Sequence, residues 1–191
     1  LHEAAVYDEA DHPRGPGGKW APKGGGAAAI PSDKRAAERK RSAAEKAVAK
    51  SIRRKQEVDW DKADVPTLKS VVDKVAKAGG KADICLVNPP LCKGTLGVER
   101  ADMPQMDQAA WEKFTAAAKA DGVRFEDAQV SPGELKATQG EINAGKVLGM
   151  ADAMIAGKKL GGGKPIISSD GYVLDGHHRW AASWLTNRGG K

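Results

Sequence analysis

Aromatic side chains are scarce in this sequence, at 5% of its 191 residues. Large rings bury the most area per residue, and much of the 40% hydrophobic content is Ala, so the core must be modest. Cysteine is scarcer still. Cys85 and Cys92 stand alone with six residues between them, which excludes a multi-bridge scaffold and a four-cysteine zinc site and leaves a single bridge open. No window approaches the run of about 18 apolar residues that a membrane span requires. The N-terminus also lacks a signal-peptide pattern, so a soluble protein with no membrane partner is expected. The chain begins at Leu1 rather than Met, as a processed or excised product would.

Positive charge is abundant but local. The formal net charge is +6, yet the stretch from Lys34 to Lys55 holds ten Lys or Arg against Glu38 and Glu45, a net +8 that leaves the remainder at −2. This stretch is built from Ala, Lys, Arg and Glu, all strong helix formers, with Ser32 available as N-cap, and it predicts a long basic helix over 32–58. Val48 and Ile52 share one face, so only a narrow stripe can be buried and most of the helix should be wet. Arg39, Lys40, Arg41, Arg53, Arg54 and Lys55 are its candidate nucleic-acid contacts, suited to sequence-independent, salt-sensitive binding. No aromatic is interleaved among them for base stacking, because Trp60 comes after the helix. A solvated spacer is the competing reading.

Residues 1–31 read as a flexible Gly/Pro-rich tail that cannot bury enough apolar surface to offset its ordering entropy. Within it His12, Pro13, Arg14, Gly18, Lys19 and Trp20 form a pattern that resembles one found in phage head-morphogenesis proteins and their extensions. A featureless linker is the alternative.

Residues 59–191 are expected to form one domain, with its motif core at 130–185. Leu68, Val71, Val72 and Val75 fall at helical spacing over 65–78, and Gly79-Gly80 ends that helix. The short apolar run from Ala82 to Asn88 reads as a strand ahead of Pro89-Pro90. A helix over 108–120 carries Trp111, Phe114 and Ala118 on one face, and a strand-like segment follows at 123–130. Residues 141–156 give another helix. Lys164 to Ser168, the turn Ser169-Asp170-Gly171 and Tyr172-Val173-Leu174 then make a hairpin that leads into a final helix. The expected class is α/β (α+β) with a small mixed sheet.

That hairpin delivers Asp175-Gly176-His177-His178-Arg179-Trp180. A strand passing through Gly into a helix start creates an anion site, since the first amides have no helical partner and the macrodipole is positive there. Cations at that end are unfavourable unless an anion compensates them. His177, His178 and Arg179 therefore point to a phosphate-bearing ligand, with Gly176 allowing close approach and Asp175 capping the helix or orienting an imidazole. An ordinary polar boundary is the bland alternative. Zinc fits poorly, because adjacent helical side chains diverge by about 100°.

The pattern from Pro165 to Ala182, PIIxxDGYVLDGHHRWAA, resembles the phosphate-binding box of the ParB/sulfiredoxin superfamily. Its members include CTP-binding partition-protein domains, ParB-type nucleases, sulfiredoxin and an ADP-dependent free-serine kinase. Upstream, Leu135, Lys136, Gln139, Glu141 and Ile142 match a segment of the form LKPxxE[VI], with Ala137 where Pro is usual. The resemblance implies a small mixed-sheet ParB/sulfiredoxin-like domain whose final helix holds nucleotide phosphates. It adds Gln139 to the phosphate-binding set and makes Glu141 and His178 the candidate catalytic residues, Glu141 as base. An N-terminal helix acid is the alternative for Glu141. The box has no Cys, which argues against sulfiredoxin chemistry, and no helix-turn-helix follows, which argues against centromere reading.

The expected function is phosphoryl transfer or phosphodiester cleavage on a nucleotide (ATP, ADP or CTP) or on DNA, in a phage-associated protein of the bacterial cytoplasm or the virion. With no Walker-type loop and no acidic pair spaced for two metals, a Mg2+ ion would arrive with the nucleotide. Two other readings stand beside it. One is a non-enzymatic virion or DNA-packaging accessory that engages phage head proteins through the tail and basic helix, and the other is a toxin-like effector nuclease.

Overall fold

A computed structural model describes residues 14–15, 19–20, 32–99, 103, 108–161 and 164–187. The rest of the expected Gly-rich tail, including His12, Pro13 and Gly18, lies outside the described residues. The chain divides into two compact units, residues 1–30 with 101–129 and residues 31–100 with 130–191. Among the described residues there are six α-helices and a three-stranded mixed sheet, and no helix is long and apolar enough to cross a membrane.

In the first unit β1 (Arg14–Gly15) pairs antiparallel with β2 (Lys19–Trp20), setting Arg14 opposite Trp20. The helix α4 (Gln108–Ala120) forms where the sequence places it. Trp111 lies 5.5 Å from Phe114 and meets Phe125 edge-on at 6.4 Å. The strand expected at 123–130 is absent. Every residue there is exposed and none joins a ladder, so Val123, Phe125 and Val130 have no sheet against which to pack.

The second unit opens with α1 (Ser32–Arg54). Ala49 is fully buried, Ile52 packs on the core, and the described basic side chains are mostly exposed. Asp64 caps α2 (Val65–Lys77) by accepting from Thr67 N–H at 2.9 Å, and the stripe Leu68, Val71, Val72, Val75 is buried as its spacing requires. The helix ends in a Schellman pair: Gly79 at φ +70° donates to Ala76 O and Gly80 to Val75 O.

The run expected as a strand at 82–88 is instead α3 (Ile84–Val87), a single helical turn. Asp83 caps it by accepting from Cys85 N–H at 3.0 Å. Ile84 and Val87 are both fully buried, and a turn of helix puts them on one face at a spacing of three where a strand would point them to opposite sides. A 3-10 turn over Pro89–Cys92 follows, and Cys85 and Cys92 are disulfide-bonded.

The sheet has the order β3 (Lys136–Ala137), β5 (Tyr172–Asp175), β4 (Ile166–Ile167), with β3 parallel and β4 antiparallel to β5. Residues 96–98 extend it beyond β3 through Leu96 N–H to Ala137 O and Val98 N–H to Thr138 O. Asn143 caps α5 (Ala144–Ile155) through Lys146 N–H at 2.9 Å. Against α5 lies α6 (His177–Thr186), whose Trp180 is buried and donates its indole N–H to Pro132 O at 2.9 Å.

Candidate functional site

The strand β5 enters α6 through Gly176, which serves as N-cap at φ +79°. A Cβ added there would sit 2.9 Å from Pro165 Cα, so both backbone conformation and space demand glycine. The sequence offers Asp175 as a cap, but the cap residue is Gly176 with no side-chain cap bond, and Asp175 ends β5 exposed. The first helical hydrogen bond runs from Trp180 N–H to Gly176 O at 3.0 Å, so the amides of the first turn point out of the helix end.

The two histidines part company. His177 is only 4% exposed, and its Nε2 lies 2.9 Å from Thr138 Oγ1 and 3.3 Å from Gln139 N. The Thr138 hydroxyl gives its single proton to Val173 O at 2.7 Å, so its oxygen accepts from a protonated Nε2. The longer Gln139 approach suits the other tautomer. Either way this ring fastens the helix start to the end of β3. His178 and Arg179 are half-buried beside it, and Arg179 donates to Gly161 O. Gln139 is buried, its carbonyl accepting from Thr95 Oγ1 at 3.1 Å.

Two residues beyond Gln139, Glu141 is 26% exposed in its side chain and is held from both sides. Its Oε1 pairs with Lys46 of α1 at 2.7 Å and its Oε2 with Lys81. Burial pushes its carboxyl up, but the two lysine hydrogen bonds and charges outweigh that and hold it below the usual range. The same hydrogen bond raises the Lys46 ammonium. Beneath this trio Asp83 is buried and accepts from Ile142 N–H at 3.0 Å as well as from Cys85. Burial pushes Asp83 up despite those amides, and the Glu141 charge adds to the rise.

His177 thus fastens the turn to Thr138 and Gln139, and Glu141 follows two residues farther along that same segment; turn and segment together we call the Gly176 corner. Lys46 and Lys81 contact this segment, Asp83 contacts the next residue, Ile142, and Thr138 lies within it; none of the four was singled out by sequence motifs. Asp83 alone carried a readable signal, an acidic cap before a short apolar run. Arg53 lies apart, on a groove beside Trp60 and Pro89-Pro90, while Arg39, Lys40, Arg41 and Arg54 are exposed along α1 and Lys55 is exposed just after it. Arg41 pairs with Glu45 at 2.8 Å. Among the described residues no three His, Cys, Asp or Glu gather as a metal site. Comparison of the chain with protein-family models, curated proteins and solved structures finds no match.

Proposed function

We propose that this corner binds the phosphates of a nucleotide, or of a nucleic-acid strand, and carries out phosphoryl transfer or phosphodiester cleavage as a phage-associated ParB/sulfiredoxin-like domain. The observation that carries the reading is the passage of β5 through a left-handed Gly176 into the first turn of α6, with Arg179 and His178 at its mouth. Outward amides, a positive helix end and a guanidinium favour one kind of ligand, a multivalent oxyanion.

Glu141 supports the catalytic part. Paired on both oxygens by lysines, it is a weak base until something competes for them. A phosphate chain offers Lys46 and Lys81 a stronger anion and frees the carboxylate. Glu141 then takes a proton from an acceptor hydroxyl or a water, that oxygen attacks phosphorus, and His178 protonates the departing oxygen. Lys46 and Lys81 neutralise charge on the transferred group. A Mg2+ ion, where used, comes with the nucleotide and shields its phosphates.

Titration calorimetry with ATP, ADP, CTP and short DNA tests the binding step on wild type and Arg179→Ala. Binding to wild type that weakens at least tenfold in the variant is expected, and binding that ignores Arg179 defeats the proposal. Nicking of a plasmid favours the nuclease form, and phosphate transfer to a small acceptor favours the kinase-like one.

A further inference from the structure

We propose that a second site, separate from the Gly176 corner, takes single-stranded nucleic acid: a base stacks on Trp60 while its phosphates are held by Arg53 and Lys93. The basic helix α1 has no aromatic of its own, but the fold supplies one. Trp60 returns beside Arg53 in the last turn of α1, and together with Val58, Pro89, Pro90 and Lys93 they line a groove of about 620 Å³.

The chemistry of this groove suits a base and its backbone. Trp60, Val58 and the proline pair give an apolar bed with a π-face, on which any base stacks. Among the described residues the buried Nε–H of Arg53 has no hydrogen-bond partner. That atom is closed to solvent and is not itself the phosphate contact; what the groove offers an anion is the positive charge of Arg53 and Lys93, which line it together. Lys93 is exposed at the groove, and Lys50 and Arg54 continue the positive charge along α1, with Lys55 just after it. The far wall is fixed, because the Cys85–Cys92 disulfide brackets Pro89-Pro90 and Leu91 beside them is buried.

Asp59 and Asp61 also line the groove. Asp59 is paired with Lys62 at 3.2 Å, which tempers repulsion of phosphate. These carboxylates only accept hydrogen bonds, so they favour the two-proton exocyclic amino groups of adenine, cytosine and guanine over the single imino N–H of thymine or uracil. A paired, stacked base presents neither its face to Trp60 nor its pairing edge to Asp61, and the groove therefore selects single strands over duplex.

Fluorescence anisotropy of short labelled cytosine, adenine and thymine oligonucleotides and a duplex, added to the full chain, tests this. Expected are tighter binding of single strands than of duplex, and of cytosine or adenine than of thymine. Trp60→Ala should weaken binding about ten- to a hundredfold while Trp60→Phe retains most of it. Lys93→Glu, at an exposed position, should weaken binding and lower the salt slope by about one phosphate. Inorganic pyrophosphate has no base to stack; its binding should weaken in Arg179→Ala and stay unchanged in Trp60→Phe and Lys93→Glu, so failure here and failure at the Gly176 corner are read separately. If circular dichroism shows Trp60→Ala unfolded, Lys93→Glu and Trp60→Phe decide. No binding, a preference for duplex, or variants that bind like wild type overturns the proposal, as does displacement of the strand by a Pro-rich peptide.

Discussion

At the Gly176 turn the groups that set the backbone lie within a few residues of one another or across a hairpin: Gly176, Pro165 and the start of α6. At the Glu141 corner, by contrast, the groups that set the charge come from Lys46 on α1 and from Lys81, which is 60 positions away from Glu141. His177 joins the two. Shape here is specified locally and electrostatics at a distance, so a short motif identifies where an anion would sit while the control of the neighbouring carboxylate depends on distant segments.

Substitutions separate these two kinds of control. Gly176→Ala forces a left-handed non-glycine residue onto Pro165 and should cost about 3 kcal/mol or more by urea denaturation. A loss under about 1 kcal/mol would show that the turn tolerates side chains. Removing the Cys85–Cys92 bridge as a double serine variant should cost about 2.5 kcal/mol, from the loop entropy of so short a ring. An unchanged melting temperature under reductant would contradict it.

His177→Ala leaves buried Thr138 and Gln139 groups without their imidazole and should cost about 2 kcal/mol, whereas His178→Ala should cost about 0.5 kcal/mol or less. Equal losses for the neighbouring histidines would erase the distinction between anchor and mouth. Glu141→Gln should cost about 1 kcal/mol at neutral pH, since its two lysine pairs are partly solvated.

The sign of the pH effect follows from the shifts. Glu141 is depressed in the folded state, so its contribution is present above its ordinary value of 4.5 and is lost as pH falls through the folded value. Asp83 is raised, so its contribution is present below 3.8 and is lost as pH rises through the folded value. The two oppose each other. The informative quantity is therefore the difference between wild type and Glu141→Gln, which should shrink on acidification through the range below 4.5. A gap that widens there would refute the lysine clamp.

Much of this was legible from residue order. The buried stripe of α2 follows its 3.6 periodicity, and the hairpin follows the Asp170-Gly171 turn between apolar pairs. The run at 82–88 misleads because β-branched composition is ambiguous over four residues, and the deciding facts are the Asp83 cap and the prolines behind it. Residues 123–130 carry strand-like composition without a partner, and pairing is a tertiary property. At the candidate site Gly176 was readable as a point of close approach, but its left-handed N-cap role was not, because Asp175 offered the ordinary cap. The inward turn of His177 was not, because adjacent helical side chains face different ways and only the packed sheet decides which is buried. Lys46 and Lys81 carry no motif, since a salt bridge across the fold leaves no spacing in the sequence.

The most direct test of the central claim is a crystal structure of the full chain soaked with a nucleoside diphosphate. Phosphate density within hydrogen-bond distance of the first-turn amides of α6 and of Arg179, with Lys46 or Lys81 turned from Glu141 toward it, is the predicted result. Phosphates bound elsewhere, or a Gly176 turn that stays empty at saturating ligand, would contradict it.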